Sequence, residues 1–313
     1  MNAGSNPVPL QEHARSYGSR SSAVQANSSD VPDQDWPNRT YSQFLTVGKI
    51  RWHVQCAGKG PVLLLLHGTG SATHSWRDLL PLLAEDHTIV APDLPGHGYS
   101  LCNDEKSLTL PGMARAITDL LQHLKLAPDI AVGHSAGAAV MIRMTLDGGL
   151  EPDLIIGINA ALLPFGGALT GMFQPMARLV AAAPLLPRII AYRASQKGSV
   201  ERLIAGTGSR LGQEAIADYR RVFCQERHVA ATLAMMANWN LQSLLNEFSK
   251  NETPLLLIVG DNDRTVPPSQ ARRVKAICPA TRIEVLPGLG HLAHEQDAQQ
   301  VAAVIRKAEA ARE

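Results

Sequence analysis

Hydrophobic and polar positions divide the chain into three regimes. Residues 1–37 are rich in Ser, Asn, Gln, Pro and Gly and carry no apolar periodicity. Such a segment buries too little surface to offset its ordering entropy, so it is expected to be a disordered polar tail outside the fold. From Tyr41 the pattern changes. Positions 44–47 and 50–55 read as two short strands joined at Gly48-Lys49, a hairpin signal. Positions 62–66 form a continuous apolar run bounded by Gly60-Pro61 and His67-Gly68, which fits a strand buried on both faces. Similar runs recur at 88–91, 130–132, 154–158, 255–259 and 282–286. Helical patterns separate them at 76–83, 110–126, 136–146, 269–277 and 297–311. The alternation predicts an α/β fold: a mostly parallel, doubly wound sheet of about eight strands, opened by an antiparallel hairpin.

One stretch breaks the rhythm. Residues 160–250 separate two core strands, where connections of about two to six residues are usual. The segment is helical in pattern, with Pro164, Pro175, Pro184 and Pro187 as breakers. It is expected to be a helical cap inserted into a core made of 38–159 and 251–313, lying over the sheet edge where such folds bind ligands.

Composition narrows the function classes. Hydrophobic residues are 45% of the chain and charged residues 18%, as in a globular protein with a large core. A net charge of +1 and only 4% aromatics argue against nucleic-acid binding. Cys56, Cys102, Cys224 and Cys278 show no paired short spacing, so neither a zinc site nor a disulfide framework is expected. No signal-peptide core or membrane-length apolar run is seen, and the expected location is cytoplasmic. Nothing calls for a cofactor or a metal.

The chemistry lies in three loops. Gly133-His134-Ser135-Ala136-Gly137 follows an apolar strand and precedes a helix. A strand, a sharp turn and a helix make a nucleophile elbow that presents Ser135 at a helix N-terminus. A serine needs a base. His291, in Gly288-Leu289-Gly290-His291 after the last strand, is the candidate, with His294 as its competitor. The base needs a carboxylate. Gly260-Asp261-Asn262-Asp263 follows another strand, and Asp263, deeper in the loop, is preferred to Asp261. Oxyanion donors are expected at the backbone N–H groups of Thr69, in His67-Gly68-Thr69-Gly70, and of Ala136. The loop from Pro92 to Gly98, with Asp93 and His97, is read as a buttress of the site. Candidate substrate contacts are His67, Gly68 and His134 beside the nucleophile, and Phe165, Met172, Met236 and Trp239 in an apolar, Met-rich cap suited to a bulky ligand. Packing of the cap on the core is the plain alternative for those apolar residues. A peripheral membrane contact of 179–190 is a further, less favoured one.

These motifs resemble the α/β-hydrolase superfamily over about residues 40–310. The chain resembles, more narrowly, the family of magnesium-chelatase accessory proteins of bacteriochlorophyll biosynthesis. That likeness is carried by Thr73-His74-Ser75-Trp76, Asn159-Ala160-Ala161-Leu162-Leu163-Pro164, Ile204-Ala205-Gly206-Thr207-Gly208-Ser209 and Ala234-Met235-Met236-Ala237-Asn238-Trp239. It implies a Ser135, Asp263, His291 triad acting on an ester or other acyl bond, or else a non-catalytic porphyrin carrier. It also implies an acyl or porphyrin-type ligand and contact with magnesium-chelatase subunits.

Overall fold

The structure is a computed structural model that describes residues 31–164 and 183–312. Its sheet has nine strands: β1 (Ser42–Val47), β2 (Ile50–Ala57), β3 (Val62–Leu66), β4 (Thr88–Pro92), β5 (Leu101–Cys102), β6 (Ile130–His134), β7 (Leu154–Ile158), β8 (Leu255–Gly260) and β9 (Arg282–Leu286). The order is β1-β2-β4-β3-β6-β7-β8-β9, with β5 paired to β2. β1, β4 and β5 run antiparallel to β2, and the other pairings are parallel. The ninth strand, beyond the eight expected, is the two-residue β5, too short to leave a pattern in the sequence.

The continuous apolar runs are explained by what they separate. Leu64 and Leu66 of β3 point into one core layer, with Leu110, Met113 and Ile117 of α2 (Leu110–Leu124) and Val140 and Met144 of α3 (Ala136–Leu146). Leu63 and Leu65 point into the other, with Leu79, Leu80 and Leu83 of α1 (Leu79–Leu83). Since side chains alternate along a strand, a strand covered on both faces must be apolar at every position.

Between β7 and β8 the described chain is helical: α4 (Leu186–Ser195), α5 (Ser199–Gly206), α6 (Gln213–Phe223), α7 (Glu226–Asn238) and α8 (Gln242–Glu247). The chain after β8 forms α9 (Ser269–Ile277), α10 (Ala293–Gln296) and α11 (Ala298–Ala310). No helix among the described residues is long and apolar enough to cross a membrane.

The packed chain starts earlier than position 38. Trp36 is 2% exposed, donates to Thr73 Oγ1 at 3.3 Å, and meets Tyr99 edge-on at 4.9 Å. Pro37 accepts a hydrogen bond from the Gln55 side chain at 2.7 Å. A single large indole reaching a distant pocket offsets the ordering cost that the polar composition implied.

Candidate active site

β6 ends directly in Ser135, whose backbone sits at φ 51° and ψ −114°, a region that L residues rarely adopt. The turn is feasible because its flanks lack Cβ atoms. A Cβ on Gly137 would overlap the Leu66 carbonyl oxygen, and one on Gly133 would meet Met141 Cε at 2.5 Å. Ser135 is thereby held at the N-terminus of α3, 9% exposed.

Asp263 lies in the loop after β8 and His291 in the loop after β9. Asp263 Oδ2 and His291 Nδ1 are 2.8 Å apart, and both residues are buried. The other carboxylate oxygen, Oδ1, accepts from the Thr265 and Val266 amides at 2.8 and 2.9 Å. Asp261 instead accepts from the Gly288 amide in an exposed position, which makes it a loop cap. Ser135 and His291 are brought to the same edge, but no hydrogen bond joins them in this structure. Their proximity is read through His134, the residue before the serine, whose ring centroid is 4.7 Å from that of His291.

Several residues hold the histidine loop. His134 Nε2–H donates to the His291 carbonyl at 2.9 Å. Burial and the neighbouring His294 and His291 hold His134 well below the ordinary histidine range, so it stays neutral and structural. Asn159 Nδ2 donates to the carbonyls of Gly290 and His291, both at 2.8 Å, while its Oδ1 accepts from the Gly260 amide. The helical insertion contributes too. The Thr207 carbonyl accepts from the His291 and Arg264 amides, Ser209 Oγ accepts from the Leu292 amide, and the Gly208 carbonyl accepts from Asn262. One turn of the insertion thus fastens both the Asp263 loop and the His291 loop. Asn159, Thr207, Gly208 and Ser209 were visible in the sequence only as motif residues, because nothing local marks a turn as a clamp on loops more than fifty positions away.

Gly208 sits at φ +84°, and an added Cβ would overlap the Asn262 carbonyl oxygen. Gly208→Ala is therefore expected to lower stability by about 2–4 kcal/mol from backbone strain and crowding. Urea unfolding curves of the two proteins check this.

In the loop after β3, Gly68 packs against Ser135: a Cβ there would lie 3.2 Å from Ser135 Cβ and 2.7 Å from His134 Nδ1. Thr69 is exposed, with Oγ1 3.7 Å from Met235 Sδ of α7. Neither the Thr69 nor the Ala136 amide has a backbone acceptor among the described residues. His67 does not face a ligand. It is fully buried, its Nδ1–H donates to the Gly68 carbonyl at 2.8 Å, and its Nε2 accepts from the Leu94 amide at 2.9 Å. His67 is therefore corrected from a substrate contact to a support of its loop, since both of its ring nitrogens are spent on backbone groups. His134 turns inward as well: its Nε2 is spent on the His291 carbonyl and its Nδ1 is buried without a hydrogen-bond partner, so it too supports a loop. Met236 is 38% exposed, Trp239 is half-buried against the main core, and the buried Met235 is the methionine that reaches Thr69. Phe165 and Met172 lie outside the described residues.

His294, the competitor for the base, belongs to α10. Its Nε2 lies 2.8 Å from Ser75 Oγ, and burial lowers its pKa to about 3. Next to it, the Glu295 carboxyl accepts from Ser75 Oγ at 2.7 Å and from Tyr219 Oη of α6 at 2.6 Å. Burial first, then the nearby Asp218 and Asp78, push Glu295 up to about 8 against those two hydrogen bonds. The ordinary glutamate value is near 4.3, so between there and about 8 the folded chain keeps a proton that the unfolded chain releases. Stability contributed by this group is full below that window and falls as pH rises through it. Glu295→Gln cannot ionise, and it should gain about 1–3 kcal/mol over the wild type on going from pH 5 to pH 8. Thermal melts of both proteins at the two pH values read this; an unchanged difference would contradict it.

Among the described residues, no group of three or more His, Cys, Asp or Glu side chains is arranged to hold a metal ion. The arrangement as it stands offers a hydroxyl on a strained turn, an imidazole fixed by a carboxylate, and two free backbone donors.

The comparisons accord with this geometry. The model of the alpha/beta hydrolase family matches residues 63–304. The magnesium-chelatase 30 kDa subunit of Rhodobacter capsulatus is 35% identical, over 87% of this chain and 95% of that protein. The pyrrolizixenacetamide deacetylase of Xenorhabdus hominickii is 28% identical, over 80% of this chain and 91% of that protein. An alpha/beta hydrolase fold protein from Burkholderia ambifaria superposes with a TM-score of 0.67 at 21% identity, covering 84% of this chain and 98% of that one. The chain is a member of the alpha/beta hydrolase family.

Proposed function

We propose that the chain is a serine hydrolase that cleaves an ester or other acyl bond, with Ser135 as nucleophile, His291 as base and Asp263 as its orienting carboxylate. The observation that carries this reading is the 2.8 Å Asp263–His291 bond at the edge where Ser135 is held at φ 51°. Ser135 Oγ attacks the acyl carbon as its proton passes to His291 Nε2. Asp263 keeps the Nδ1–H in place and stabilises the imidazolium. The developing oxyanion accepts from the Thr69 and Ala136 amides at the N-terminus of α3. His291 then protonates the leaving group, and water, deprotonated by the same ring, releases the acyl-enzyme. The serine–imidazole bond absent here closes when substrate fills the site, as catalytic contacts commonly do. The helical insertion serves as the cap that shapes the ligand pocket.

The likeness to a protein named as a magnesium-chelatase subunit supports a cytoplasmic role beside magnesium insertion, with a porphyrin-type or acyl-bearing ligand and contact with chelatase subunits. Magnesium is the chelatase's substrate in this scheme.

The same likeness, with the open serine–imidazole contact, favours one second reading: a carrier that holds the pigment precursor under the cap without chemistry. Ser135→Ala separates the two. Purified wild type should turn over p-nitrophenyl esters, with the variant slower by at least about 10⁴-fold. Absence of turnover together with full pigment recovery by the variant in a strain lacking the protein would establish the carrier instead.

A further inference from the structure

Helix α4 carries a second amphipathic face that the fold does not use. Its inward side is formed by Pro187, Ile190, Ala191 and Ala194, with Ala191 and Ala194 each 8% exposed. The opposite side is not polar, as a solvated helix face would be. Leu185, Ile189 and Tyr192 are 65%, 52% and 67% exposed. With about 100° per residue, these three fall within roughly 60° of one another, and Arg188 and Arg193 lie roughly 40° beyond them on either side. The next helix, α5, adds the exposed Arg202 and Leu203. Of the eight large apolar side chains exposed among the described residues, four lie between 185 and 203.

Charge is as one-sided as hydrophobicity. From 183 to 212 the sequence holds Arg188, Arg193, Lys197, Arg202 and Arg210 but a single acid, Glu201, in a chain that as a whole holds 29 basic and 28 acidic residues. Glu201 is spent on Arg220, 2.6 Å away. Arg188, Arg193 and Lys197 have no acidic partner among the described residues. An apolar strip flanked by unpaired cations suits a surface that is anionic outside and hydrocarbon beneath. Guanidinium groups stay at headgroup level while Ile189 and Leu185 enter the acyl boundary, with the Tyr192 hydroxyl at the interface.

We propose that the outer face of α4 docks the protein reversibly on an anionic phospholipid surface, through Leu185, Ile189 and Tyr192 with Arg188 and Arg193 as headgroup anchors. The inference is independent of the chemistry at Ser135. A protein surface is not the favoured occupant, because the strip is a narrow, convex ridge edged on both sides by like charges.

The test is co-sedimentation of the full chain with vesicles of phosphatidylcholine alone and of phosphatidylcholine mixed equally with phosphatidylglycerol. The chain should partition onto the mixed vesicles, weakly or not at all onto the neutral ones, and less as salt is raised. Arg188→Glu with Arg193→Glu, and separately Ile189→Asp with Tyr192→Ser, should each weaken partition at least about tenfold with unchanged circular dichroism. All four positions are exposed, so folding should survive the changes. No partition onto the mixed vesicles, or partition that both folded variants retain, would overturn the proposal. So would capture of an acidic protein through this face in the absence of vesicle binding.

Discussion

Asp263→Asn should fold and yet hydrolyse esters about 10⁴-fold more slowly than the wild type. The size of the effect follows from which atoms each carboxylate oxygen serves. Oδ1 accepts from two backbone amides, Thr265 and Val266, and Oδ2 faces His291 Nδ1. Two N–H donors on one side force an asparagine to turn its carbonyl oxygen toward them. Its NH₂ must then point at Nδ1, so the neutral ring carries its proton on Nε2, the nitrogen that should receive the proton of Ser135. The base is present, correctly placed and in the wrong tautomer. KM should change little, since no substrate contact is lost, and the loss should appear in kcat. Asp263→Ala would be less informative, because two buried amides would lose their acceptor at about 1–3 kcal/mol each and folding would be confounded with chemistry.

The largest stability effect is expected at Asp93, in the loop after β4, which touches no part of the proposed reaction. Its Oδ1 accepts from the Thr73 amide at 2.6 Å, and its Oδ2 accepts from the Tyr99 amide at 2.8 Å and from His53 Nδ1 at 2.7 Å. The residue is wholly buried. Burial alone would raise its pKa, but the His53 charge and hydrogen bond, with His67 and the Tyr99 amide, outweigh it and hold the carboxyl below the usual range. Asp93→Asn presents an NH₂ to donors on one side or the other, whichever way it turns. It should cost about 3–5 kcal/mol, or about 10 °C in Tm at this chain length. The sign with pH is fixed by the depressed value. The ion's stabilisation is full above the ordinary aspartate pKa and is lost as pH falls through the depressed one. The gap between the two proteins should therefore be wide at pH 7 and narrow in strong acid, as read by thermal unfolding. The consequence reaches the site, because Leu94 donates to His67, which in turn fixes Gly68 beside Ser135.

Much of this architecture was legible from pattern alone, for a physical reason. β3 and β7 run over the positions that their apolar runs marked, and α3 likewise, because nearly every residue in them is buried. β9 and α9 match as well, although only part of each is buried. The three loops were legible because their glycines answer local steric demands that a Cβ would violate. What stayed hidden depends on long-range packing. Trp36 sits in a polar stretch, and only its distant partners Thr73 and Tyr99 reveal it as core. His67 and His134 lie in the right motifs, but sequence does not tell which way an imidazole points, and both turn inward. The clamp at Thr207 to Ser209 and the Tyr219–Glu295 contact join the helical insertion to two loops and a short helix that follow it by dozens of residues. No local periodicity encodes such joints.

Intact-protein mass spectrometry after exposure to a fluorophosphonate tests the nucleophile directly, whatever the natural substrate. The folded wild type should gain a single adduct that peptide mapping places on Ser135. Ser135→Ala should gain none, and His291→Ala should label at least about 10³-fold more slowly. A folded wild-type protein that stays unlabelled at Ser135 under conditions that modify a known serine esterase to completion would contradict the account.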